Sequence, residues 1–357
     1  MRYNPRMLTL ARESRRWTQT ELADKLKVRQ GTVSKYESDD LEITDEAAAA
    51  LSQELRYPVS FFEQRESVYP FGATSFYHRK QQSVTNPVLR KIEAKVNIYR
   101  LHIQQLSKAT DLDMRNRFKR IDIDEHSGKI ATIAGLIRAA WRIPAGPIAN
   151  MVRLLEDAGA IVIRFDFETA KMFGLSEWIP PAPPIFFLND HPEISADRDR
   201  FTLAHELGHV ILHSLPNPNM ENEANRFAAE FLMPAADIRP HLRPPVKLHS
   251  LARLKPHWKV SIGALAQRAR DLGVINGNQF VYLRMQLQQN NYALREPPSL
   301  DIAREHPTLL LEIIKAHLND LGYSYGDLAK MLHMELAEFR SYYRLDSGSS
   351  GLRIVAG

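Results

Sequence analysis

The chain has 357 residues, of which 44% are hydrophobic and 25% charged, and this predicts two or three globular units rather than one. It contains no cysteine, which excludes disulfides and thiolate chemistry of any kind. No apolar run is long enough for a membrane span and the N-terminus lacks the apolar stretch of a secretory signal, so a cytoplasmic, nucleoid-associated protein without membrane contact is expected. The net charge of +5 is uneven: residues 1–35 carry nine Lys/Arg against three acids, a balance suited to a phosphate backbone.

Residues 5–63 read as five short helices. Pro5 opens the first, and Thr18 with Glu21 three residues on forms the capping box of the second, whose buried face is Leu22, Ala23 and Leu26. A tight connection through 27–29 leads into QGTVSKYE (30–37). Asp45 begins an Ala-rich helix, and Pro58 starts a last turn ending at Phe61 and Phe62. Residues 64–83 read as a linker and domain entry, followed by a charged helix over 84–108 with Val88, Ile92, Val96, Ile98 and Leu101 as apolar positions. The region 132–157 reads as helical, AIVIRF (160–165) and IFFLN (185–189) as short strands, and the segment with PPAPP (180–184) between them as a stiff loop. Helices over 199–213, 221–232, 246–256 and 261–272 carry this unit to residue 297.

The spacing in 18–37 fits two helices joined by a tight turn, the second lying in a DNA major groove. Gln19, Arg29, Gln30, Thr32, Ser34 and Lys35 are the types that read bases or grip phosphates. Residues 8–37 resemble the Xre/phage-repressor helix-turn-helix family, most specifically at TQTELA (18–23) and SKYE (34–37). That resemblance implies a homodimer on operator double-stranded DNA. An internal echo sets 17–37 against YSYGDLAKMLHMELAEFRSYY (323–343) without a gap. The echo lacks most basic and amide residues of the first copy, so it is expected to keep the fold and to have lost DNA contact. The tail, 346–357, reads as flexible.

Residues 201–213, FTLAHELGHVILH, interrupt an apolar helix with three histidines and a glutamate. His205 and His209, four apart, share one helix face and can reach one ion, while Glu206 stands beside them to activate water. A third protein ligand is required. Leu212 and Leu215 stand where a longer zinc motif would need Gly and His, and His213 lies two turns from His205, which suits a supporting residue. The next helix offers Glu221, Glu223 and Glu230 beside a stripe of Ala224, Phe227, Ala228 and Phe231; Glu223 is the choice and Glu221 the reserve.

These two segments resemble the ImmA/IrrE metallopeptidases, and the similarity extends upstream to Leu188-Asn189 and DRDRFT (197–202) and downstream to VSIGALAQRARDLG (260–273) and the Arg-Glu-Pro triplet ending at Pro297, covering roughly 70–297. It implies Zn²⁺, with Mn²⁺ an alternative, held by two histidines and a glutamate, Glu206 as general base, and a repressor-type protein as substrate. The expected architecture is mainly α (α+β): a five-helix bundle over 1–63, a zincin-like domain with a small sheet over 84–297, and a degenerate helix-turn-helix segment over 298–345. The expected function is a transcriptional regulator carrying a zinc endopeptidase. The alternative is a DNA-binding or antitoxin-like regulator whose peptidase-like domain senses without cutting.

Overall fold

The computed structural model describes residues 2–69, 84–109, 118–292 and 295–345. Residues 346–357, read from the sequence as a flexible tail, and most of the expected linker lie outside the described residues. The architecture is mainly helical with one small mixed sheet, and the chain divides into two units.

The first unit takes residues 2–69, 85–109 and 310–345. Its N-terminal bundle is α1 (Pro5–Ser14), α2 (Gln19–Leu26), α3 (Gln30–Glu37), α4 (Asp45–Leu55) and α5 (Val59–Phe62). Each start has a local cause: Pro5 sits in the first turn of α1, Thr18 and Glu21 form the reciprocal capping box of α2, and the Thr44 side chain caps α4. A long helix, α6 (Asn86–Ala109), follows. The sequence reading opened the 84–297 domain with this helix, but the structure places it in the first unit. Ala94, Ile98 and Leu101 are buried in the same apolar cluster as Met7, Leu8, Leu51, Phe61 and Phe62. Helical periodicity marks an apolar face without naming what covers it.

The second unit takes residues 118–292 and 295–309. It runs through α7 (Ile130–Ala140), α8 (Met151–Asp157), β1 (Ile161–Phe165), β2 (Gly174–Glu177), β3 (Ile185–Asn189), α9 (Ala196–Leu212), α10 (Met220–Leu232), α11 (Ala235–Ile238), α12 (Leu248–Trp258), α13 (Ile262–Asp271) and α14 (Gly277–Gln289). The sheet order is β1-β3-β2, with β1 parallel and β2 antiparallel to β3. β2 corrects the sequence reading, which left GLSE in a loop because it lacks the β-branched and aromatic residues that mark a strand. Tertiary pairing with β3 makes it one, and Gly174 is needed there, because a Cβ would meet Phe187 O and Thr202 Cγ2, each at 2.7 Å. One contiguous core joins the sheet residues Val162, Phe186 and Leu188 to Leu203, Leu207 and Ile211 of α9 and Phe227 and Phe231 of α10.

The first turns of α9 are pinned by buried ion pairs. Lys255 reaches Asp197 at 3.1 Å and Glu296 at 2.6 Å, Arg164 meets Asp199 at 2.9 Å, and Arg200 pairs with Glu305. The segment 295–309 thus fastens the start of the helix that carries the site. The remaining helices, α15 (Leu309–Asn319), α16 (Tyr325–Met331) and α17 (Leu336–Tyr342), return the chain to the first unit. Among the described residues, no helix is long and apolar enough to cross a membrane.

Candidate metal centre and reading helix

The centre is assembled by the crossing of α9 and α10. The crossing is close because position 208 is glycine: a Cβ there would meet Ala224 Cα at 3.1 Å and Phe227 Cβ at 3.3 Å. At this approach His205 Nε2 and His209 Nε2 stand 3.0 Å apart. Glu221 closes the group, with Oε2 3.4 Å from His205 Nε2 and Oε1 3.3 Å from His209 Nε2. Bonds of about 2.0–2.1 Å to a tetrahedral ion would space its ligands about 3.3 Å apart, so the three donors fit one ion. Glu221 Oε1 is buried without a hydrogen-bond partner, an orphan that an ion would satisfy.

The structure brings Glu221, and not Glu223, the sequence choice for third ligand, up to His205 and His209. On α10, Glu221 and Asn225 line one flank of the buried stripe, and Glu223 lies on the other. Glu223 Oε2 instead meets His213 Nε2 at 2.9 Å. His213 ends α9, and its Nδ1 meets His209 Nδ1 at 3.0 Å. A carboxylate accepting from His213 Nε2–H leaves His213 Nδ1 to accept from His209 Nδ1–H. That leaves a lone pair on His209 Nε2. Asn225 Oδ1, 3.0 Å from His205 Nδ1, sets the same tautomer on the other imidazole. Both Nε2 lone pairs therefore converge on one point. Glu230 is not in the group; it pairs with Arg268.

The charge states of His209 and Glu221 agree with this pattern, whereas the neighbouring Glu221 and Glu206 carboxylates outweigh burial at His205 and raise it. Burial pulls His209 down to about 4, keeping the imidazole neutral. Burial alone would raise Glu221, but the close approach of His205 and His209 outweighs that and holds it below the usual carboxylate range. A neutral imidazole and an ionised carboxylate are the forms that bind a divalent cation. Glu206 is 3% exposed and accepts a 2.7 Å hydrogen bond from Ser176 Oγ of β2 at Oε2. Burial pushes it up to about 7, against the opposing pull of His205 and Ser176. Ser176 had no signal in the sequence, since β2 itself was not legible. A cavity of about 790 Å³ adjoins the centre at Asn225, lined by Arg198, Phe201, Arg226, Gln267 and Arg268 among others.

In the first unit, the residues read as DNA contacts gather around α3. Arg29, Gln30 and Lys35 are exposed, while Gln19, Thr32 and Ser34 are half-buried. A polar chain runs beneath them: Arg12 grips Glu37 at 2.6 Å, Gln19 Nε2 donates to Glu37 at 2.8 Å, and Gln30 Nε2 donates to Gln19 Oε1 at 2.7 Å. This chain orients Gln30 from within the fold.

Comparison with known families finds one match in each unit. Residues 8–62 match the helix-turn-helix family, and residues 155–270 match the Peptidase_M78 family, described as an IrrE N-terminal-like domain. No curated protein matches the chain. The protein therefore joins a helix-turn-helix DNA-binding domain to an IrrE/ImmA-like, peptidase-like domain, in the order read from the sequence.

Proposed function

We propose that this regulator is a zinc-dependent endopeptidase directed at a repressor-type protein. The observation that carries the reading is the convergence of His205, His209 and Glu221 beside the buried carboxylate of Glu206. The three residues would hold Zn²⁺, with Mn²⁺ also compatible with the donor set. When bound, the ion would polarise a peptide carbonyl and acidify water. Glu206 then takes the proton of the attacking water and returns it to the leaving amine. Ser176 holds Oε2 and fixes the rotamer in which this transfer occurs. β2 pairs only with β3 among the described strands, which makes it an edge strand beside Glu206. The exposed face of α3 supplies operator binding, with Gln30 and Arg29 toward bases and Lys35 toward phosphate.

The test is metal analysis of the purified chain, followed by incubation with candidate helix-turn-helix repressors. Zinc at one equivalent and discrete cleavage products are expected, and Glu206→Gln should keep the metal while slowing cleavage on the order of 10²–10⁴-fold. Wild-type rates from Glu206→Gln would refute the mechanism, and metal binding with no cleavage of any substrate would favour a sensing role.

A further inference from the structure

The echo at the C-terminus is a second helix-turn-helix in structure as well as sequence. Thr18 with Glu21, and Ser324 with Asp327, each form a reciprocal capping box. Lys27 and His333, at matching places in the turn, both take left-handed backbone, with φ of 56° and 53°. Arg29 and Glu335 are both extended N-caps, and Val33 and Phe339 both point into their cores with no exposure.

The outward positions differ in chemistry. Where the first copy has Arg29, Gln30, Thr32 and Lys35, the second has Glu335, Leu336, Glu338 and Ser341. Carboxylates at 335 and 338 would repel phosphate. Glu338 instead grips Arg15 at the end of α1 with two parallel bonds, Nη1 to Oε1 at 2.6 Å and Nη2 to Oε2 at 2.7 Å. His333 Nδ1 meets Ser60 Oγ of α5 at 3.0 Å. Tyr342 and Tyr343 pack on α6: the Tyr342 ring lies 4.4 Å from that of Tyr99, and Tyr343 OH is 2.8 Å from His102 Nδ1.

We propose that the C-terminal helix-turn-helix is a protein-docking module whose partner is the N-terminal helix-turn-helix of the same chain. The helix that reads DNA in one copy grips protein in the other. Each chain then offers DNA one reading helix, α3, and not two. Docking engages α1 and α5 and leaves Arg29, Gln30 and Lys35 exposed.

Two experiments on the full chain test this. The first is a charge-swap cycle with Glu338→Arg, Arg15→Glu and the double variant, read by chymotrypsin cleavage within 310–345. Each single change should speed cleavage about fivefold, and the double should recover most of that loss. A double variant no better than the two singles combined would overturn the docking. The second is anisotropy titration of a labelled random-sequence duplex across a salt series. Lys35→Ala should lower the salt slope by about 1, and Lys330→Ala and Arg340→Ala should leave it unchanged. An equal fall from either of the latter would show that the second copy reads DNA and would overturn the proposal.

Discussion

The α9–α10 crossing and the α2–α3 pair use similar polar side chains in opposite surroundings. At the crossing, Glu206 and His209 are 3% and 2% exposed, and each has a fixed partner. At α3, Arg29, Gln30 and Lys35 stand in water, and Gln30 is tied to the fold through Gln19 and Glu37. Bond cleavage needs groups whose solvation has been replaced by the protein, because burial is what perturbs their proton affinity. A reading helix needs groups free to exchange water for bases, so its buried polar partners lie one layer behind. The same contrast sets how each site should fail: the crossing through a single displaced atom, the reading helix by increments.

The largest expected effect is at the centre. Glu221→Gln should weaken zinc binding more than about 100-fold in chelator competition, whereas Glu223→Gln, acting through His213, should cost about 10–100-fold. The reverse order would restore Glu223 as the ligand. Gly208→Val should force α9 from α10, costing about 1–3 kcal/mol in urea unfolding and depressing metal content with it. At the reading helix, Gln30→Ala should cost about 1–3 kcal/mol of discrimination between operator and random duplex while leaving zinc content unchanged. The smallest effect concerns pH. Burial pulls His102 down to about 3, while in the unfolded chain it titrates near 6.5. The unfolded state binds the extra proton between these values. The first unit should therefore hold full stability above about pH 6.5 and lose it as pH falls, by at most about 1.4 kcal/mol per pH unit. His102→Phe should flatten that slope in denaturation measured from pH 7 to 5.

Much was legible locally. The capping box of α2, the Pro5 start of α1 and the four-residue spacing of His205 and His209 are short-range features, and each forms as read. What escaped was decided at long range. β2 is a strand because β3 lies beside it, so Ser176 was invisible as the partner of Glu206. α6 showed an apolar face, but its partners Phe61 and Phe62 are distant in sequence.

The sequence by itself determined two helix-turn-helix repeats and a helix presenting two imidazoles and a carboxylate, because capping and helical period act within a few residues. Only the tertiary structure decided which of Glu221 and Glu223 faces His205 and His209. Both flank the buried stripe of α10, and sequence spacing does not distinguish the flanks. The close approach at Gly208 sets the rotation of α10 against α9, turning Glu221 toward His205 and His209 and giving Glu223 to His213.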